Sequence, residues 1–139
     1  MIVTLNNIRE TVVTAIEAAK STYGPLVVEY HHLKSVNLDT QSDPFLSVRV
    51  MLFDGMQVSL GKNGGNRLLG SIVLESKYKE GSGSKIANNI LEHFYREIHM
   101  TDRHYPVRTY AARFSGRSVV KGWLAEAAIV PFWCDSIPG

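Results

Sequence analysis

Near the start of the chain apolar residues recur at three- and four-residue steps. Leu5, Ile8, Val12, Ile16 and Ala19 therefore share one face of a predicted helix, while Arg9, Glu10, Glu17 and Lys20 fall largely elsewhere. Thr4 or Asn6 supplies a side-chain oxygen to cap its first turn. Gly24-Pro25 ends it, because proline cannot continue the hydrogen-bond ladder. Leu26 to Tyr30 follows as a short apolar strand candidate. His31 to Pro44 is polar and irregular, and reads as a long exposed loop. Such a loop is either a binding element or a solvated connection, and both readings stay open.

From Leu46 the period changes to two. Leu46, Val48, Val50 and Leu52 alternate with Ser47, Arg49 and Met51, the pattern of a half-buried strand. Asp54-Gly55 tolerates the positive φ angles of a two-residue turn, so a hairpin is expected there, with Met56, Val58 and Leu60 on the returning strand. Gly61 to Arg67 reads as a glycine-rich loop carrying Lys62 and Arg67. In the next strand Ile72, Leu74 and Tyr78 share one face. Ser71, Glu75, Lys77 and Lys79 share the other, a wet outer row interrupted only by Val73. Ser82 or Ser84 is placed to cap a second helix, striped by Ile86, Ile90, Leu91, Phe94 and Ile98. Val107 to Ser115 and Val119 to Phe132 read as two strands joined by a turn at Ser115-Gly116-Arg117-Ser118. Trp123 and Phe132 belong to the core, and Pro131 ends or edges the last strand. The element order argues for an α+β fold, a largely antiparallel sheet packed with two main helices, in one domain spanning 1–139.

Charge and composition narrow the function more than the fold. No apolar run reaches the roughly 20 residues that span a bilayer, and the first residues lack a secretory signal, so folding in the cytosol is expected. Cys134 stands alone, which excludes an internal disulfide and a multi-cysteine zinc site. Residues 1–60 hold four Lys/Arg against six Asp/Glu, and residues 61–139 hold eleven against seven. That asymmetry is milder than the dense basic stripe of a dedicated nucleic-acid binder, and suits two chemically different faces.

No motif points to catalysis or to a cofactor. His31 and His32 are adjacent, so in a strand they point apart and cannot share a metal. His99, Asp102 and His104 cluster near a turn without a fourth ligand. Gly81-Ser82-Gly83-Ser84 lacks the lysine of a phosphate loop. The acidic residues are scattered, with no pair arranged as general acid and base. The expectation is a protein without catalytic residues, cofactor or metal.

Several segments in order then carry a resemblance. Pro44-Phe45-Leu46-Ser47-Val48-Arg49-Val50 precedes Gln57-Val58-Ser59-Leu60-Gly61, and Arg67-Leu68-Leu69-Gly70 opens a strand. Gly81-Ser82-Gly83 precedes a helix with Ala87 and Phe94, and the chain closes with Gly122-Trp123 and Val130-Pro131-Phe132-Trp133-Cys134-Asp135. This succession resembles the tail-terminator-like proteins of long-tailed bacteriophages. The resemblance implies a structural virion protein, assembled in the host cytoplasm into a hexameric ring in the neck. Such a ring caps the tail tube protein, stops tube elongation, receives the head–tail connector protein and lets DNA pass. Expected contacts with neighbouring subunits or the tube are His31, His32, Asp39, Asp43, Lys62, Asn63, Asn66 and Arg67, with Arg103, Arg108 and Arg117 facing the channel. They follow from loop position and charge, since loops and arginines favour interfaces. Alternatives are a head–tail completion or minor tail protein and, in another class, a small nucleic-acid-binding protein.

Overall fold

A computed structural model describes residues 2–57 and 65–136, with the side chains of 54–57, 116 and 117 left outside that description. The elements run α1 (Leu5–Tyr23), β1 (Val28–Tyr30), β2 (Phe45–Gln57), β3 (Asn66–Lys79), α2 (Lys85–Ile98), β4 (Arg108–Thr109), β5 (Arg113–Val120) and β6 (Trp123–Ser136). One six-stranded sheet has the order β1-β2-β3-β6-β4, and β5 pairs with β6 along the edge that β4 also uses. Among the described residues only β1 and β2 run parallel, and every other pair is antiparallel. The fold is α+β, as the order of periodic segments implies.

Alternation along three long strands decides where the core lies. Leu46, Val48 and Val50 of β2, Ile72 and Leu74 of β3, and Ala128, Val130, Phe132 and Cys134 of β6 point to one face. They form a single cluster with Ile8, Val12, Ile16 and Ala19 of α1 and Ile90, Leu91, Phe94 and Ile98 of α2. Both helices thus cover the same face. The helices also join each other through His93, whose Nε2 lies 2.9 Å from the Ala19 carbonyl. Thr4 caps α1 as expected, in a reciprocal capping box with Asn7. Ser84 sits at the N-cap of α2 in a helical conformation and its side chain makes no cap bond, while Ser82 bonds back to the Lys79 carbonyl.

Several local expectations are corrected. Asp54-Gly55 does not reverse the chain: β2 continues through it to Gln57, and the register slips between Leu52 and Asp54 as a bulge. The residue left without a partner is Phe53, and Asp54 and Gly55 pair in register with Leu69 and Leu68. Asn66 and Arg67 belong to β3 rather than to a loop. Ser115 to Ser118 is a bulge inside β5, and the hairpin turns at Lys121-Gly122, whose φ angles of 51° and 79° fit a two-residue mirror-image turn. Finally, the outer row of β3 is drier than its polarity suggests, since Ser71 and Val73 are buried. They sit on the central strand between Met51 and Pro131, and between Arg49 and Ile129, whose larger side chains close over them.

Pro131 neither ends nor edges β6, which runs on to Ser136. Its carbonyl accepts from the Tyr110 amide at 2.9 Å, so its donorless nitrogen faces the same edge, in the gap between β4 and β5. Gly70 is fixed by space: a Cβ there would lie 2.1 Å from the Met51 carbonyl oxygen and 2.6 Å from the Phe132 ring.

Candidate functional site

The pairing of β3 with β6 sets Arg67 opposite Asp135 and Leu69 opposite Trp133. Arg67 Nε donates to Asp135 Oδ1 at 2.9 Å and Arg67 Nη2 to Oδ2 at 3.2 Å, a two-pronged pair. The same guanidinium lies 4.1 Å from the centre of the Trp133 ring. On the other side β4 pairs Arg108 with Trp133 and brings a second guanidinium to 4.9 Å from that ring. The Arg67 hydrogen bond holds the Asp135 carboxyl below the usual carboxylate range against its partial burial, with the charges of Arg67 and then Arg108 adding to it. The same bond raises the Arg67 guanidinium, so the pair is ionised at neutral pH. Beside this cluster lies a shallow depression of ≈ 640 Å³ lined by Met100, Thr101, Asp102, Arg108, Tyr110 and Trp133.

A second polar cluster anchors the 31–44 loop. Glu29 is only 7% exposed, on the sheet face away from the helices. Its carboxylate accepts from Ser47 Oγ at 2.8 Å and from the Val36 amide at 2.5 Å. His31 Nε2 lies 2.7 Å from Ser47 Oγ. Serine, histidine and a carboxylate meet here, yet in the reverse of a nucleophile's arrangement. The hydroxyl gives its proton to the carboxylate, so His31 donates to Ser47 instead of taking a proton from it. His32 turns the other way, toward Tyr30, and burial followed by the charge of Arg9 lowers its pKa. Asp39 and Asp43 stay exposed beyond this anchor.

Arg103 lies apart from Arg108. It donates to the Glu97 carbonyl at 2.9 Å and pairs with the Glu97 carboxylate at 3.2 Å, at the C-terminal end of α2. His99 Nδ1 accepts from the Ala112 amide at 2.7 Å, and His104 Nε2 lies 3.1 Å from the Glu97 carbonyl, so both rings are engaged with backbone. Among the described residues no three His, Cys, Asp or Glu converge on a point where a metal ion could sit. No helix among them is long and apolar enough to cross a membrane. Cys134 is buried in the core cluster, and burial pushes its thiol up to about 11. Lys62 and Asn63 lie outside the described residues, as does the side chain of Arg117, whose backbone belongs to the β5 bulge.

The expected contact residues therefore fall into separate groups. His31 joins the Glu29 anchor; Asp39 and Asp43 extend from it; Asn66 and Arg67 begin β3 at the far end of the sheet. Arg67 and Arg108, assigned to different surfaces on sequence, meet on one tryptophan. Trp133, Asp135 and Tyr110 were not singled out, although Trp133 and Asp135 stand two apart and so share a strand face.

No family model and no curated protein matches the sequence. Solved structures do match, and one of them, which carries an identifier in place of a descriptive name, aligns over 94% of this chain and 96% of its own, with a TM-score of 0.59 and 11% identity. At that identity the likeness is one of fold: an α+β chain of the same extent.

Proposed function

We propose that the chain is a structural subunit of a long-tailed phage particle, the tail terminator. In this reading copies of it form a hexameric ring that caps the tube, halts its growth and presents its other face to the head connector. One observation supports the reading most. Two of the segments that carry the resemblance, Arg67 to Gly70 and Phe132 to Asp135, lie far apart in sequence yet pair residue for residue, Arg67 with Asp135 through Gly70 with Phe132. The polar clusters also fit such a role. Each secures a loop or a strand end, and none converges with another around one pocket. The chain would then act through its surfaces, without catalytic residues.

Electron microscopy of particles lacking the protein tests this. A terminator defect leaves tails of uncontrolled length. Tails of normal length that fail to join heads would instead indicate a completion or connector protein. The second reading, a small nucleic-acid-binding protein, is favoured by Trp133 between two guanidiniums and by the cationic run from Arg103 to Lys121. It requires affinity for free DNA or RNA that falls steeply with salt.

A further inference from the structure

Both edges of the sheet carry unpaired strand. β1 covers β2 only as far as Val48. The Leu46 amide donates to Val27 and the Val48 carbonyl accepts from His31, so even-numbered residues of β2 turn their backbone outward. Val50 and Leu52 continue that phase with no strand beside them among the described residues. At the opposite edge, among the described residues, β5 pairs with β6 alone. The Lys121-Gly122 turn makes Val120 and Trp123 the closing hydrogen-bonded pair, which leaves Val119 and Phe114, opposite Leu124 and Ala128, with backbone groups facing outward. Phe114, Val119 and Val120 are 60%, 61% and 58% exposed, and Leu52 and Phe53 are 39% and 61% exposed. Outward backbone flanked by exposed apolar side chains is a template for another strand, on either side of the bulges that interrupt β2 and β5.

We infer that β5 of one copy pairs with the exposed stretch of β2 on the next copy, so that the sheet runs on from subunit to subunit. This rests on the ring reading above and names the surface that would build it. Three features select a second copy in this orientation. First, β2 and β5 run in opposite directions, being three antiparallel pairings apart, so copies set side by side in the same sense meet in antiparallel pairing. Second, the edges differ in charge. The stretch of β2 beyond Val48 carries Arg49 and Asp54, which cancel, whereas β5 and its turn carry Arg113, Arg117 and Lys121 with no acid. Third, the edges are stepped: β5 lies level with Trp123 to Ile129 of β6, and free β2 level with Ile129 to Ser136. A closed sheet needs such a stagger, because its strands must tilt. The contact is heterologous, and so generates a ring when the rotation closes.

Two proline variants of the full chain test it by light scattering and native mass spectrometry over a wide concentration range. Val119→Pro removes an outward amide from β5, and Leu52→Pro removes one from β2, each without touching the ladder to β6 or β3. Each alone weakens self-association by roughly tenfold or more. Mixed, they form one-to-one dimers and nothing larger, since only one intact β5 and one intact β2 remain. A Leu52→Pro protein that still dimerises by itself shows a two-fold β5 contact and overturns the proposal. So does a wild-type chain that stays monomeric throughout, or a Val119→Pro protein that assembles like wild type. If either variant fails to fold by circular dichroism, Val119→Lys and Leu52→Lys carry the same mixing test through the apolar contact. Rings that assemble but leave tails uncapped keep this interface and remove the terminator reading. Capped tails with Val119→Pro do the reverse.

Discussion

Phe132 and Trp123 sit on the same strand and on opposite faces of the sheet, and both are buried: 1% and 4% exposed. The means differ. Phe132 lies in the cluster that both helices close. Trp123 has no helix above it. Its ring meets the edge of Phe45 at a centroid distance of 5.3 Å, and the ammonium groups of Lys79 and Lys77 lie 5.8 Å from the Trp123 and Phe45 rings. One face is dried by layering and the other by lateral contacts between neighbouring strands, with lysine stems as part of the cover. The second kind of burial is shallower, and polar groups such as Glu29 and Ser47 are tolerated within it. A surface of that sort can meet partners without first being unpacked.

The strongest way to break this comparison is to truncate both aromatics. Phe132→Ala should cost about 3–5 kcal/mol in a denaturant titration, because the helices hold the cavity open. Trp123→Ala should cost less, about 3 kcal/mol, because flexible lysine stems can settle into the space. Equal losses, or a larger one at Trp123, would show that the two faces are stabilised alike. Cys134 sharpens the contrast by a rate. With its thiol pushed up to about 11, the thiolate fraction at neutral pH is roughly a hundredfold below that of an ordinary cysteine. Alkylation should be slow in the folded protein and rise sharply past the unfolding midpoint; fast labelling below it would mean that the helix layer opens locally.

On the bare face the test is Glu29→Ala. It removes the acceptor of the Val36 amide and of the buried Ser47 hydroxyl, which keeps only His31 as a partner, at about 1–3 kcal/mol. The loss should be local: amide exchange quickens at Val36 while Leu74, at the centre of β3, keeps its protection. If both amides lose protection together, the 31–44 loop and the core unfold as one unit.

How far the sequence could be read follows the same division. The helix stripes and the inward rows of β2 and β3 were legible apart from Ile86 and Leu52, which are exposed, because layering leaves a periodic trace in each segment by itself. Turn positions were not. Asp54-Gly55 and Ser115 to Ser118 hold turn-forming residues, and only the partner strand shows that β2 pairs straight through the first and bulges at the second. The dryness of Ser71 and Val73 was hidden for a related reason, since it depends on the side chains that flank them across the sheet. Least legible was the meeting of Arg67, Trp133 and Arg108, which exists only because β3, β4 and β6 adopt one register. Trp133 and Asp135 stand two apart on β6 and so share a face, but nothing in the segment says which cations come to it.

That cluster gives the smallest effect and the most specific one. Asp135 titrates below the usual carboxylate value of about 3.9 because Arg67 bonds to its charged form. A carboxyl depressed on folding adds stability that is complete above its unfolded value and disappears as pH falls through its folded one. Wild type should therefore exceed Asp135→Asn in stability at neutral pH, by less than the Glu29 loss since the pair is partly exposed. The two proteins should converge in the acid limb, below the ordinary carboxylate range, and the gap should narrow with added salt. A difference that persists unchanged into strong acid would mean that Asp135 supports the strand end through packing. The Arg67 charge would then be held in place by the Trp133 ring alone, and would be free to meet an anionic partner.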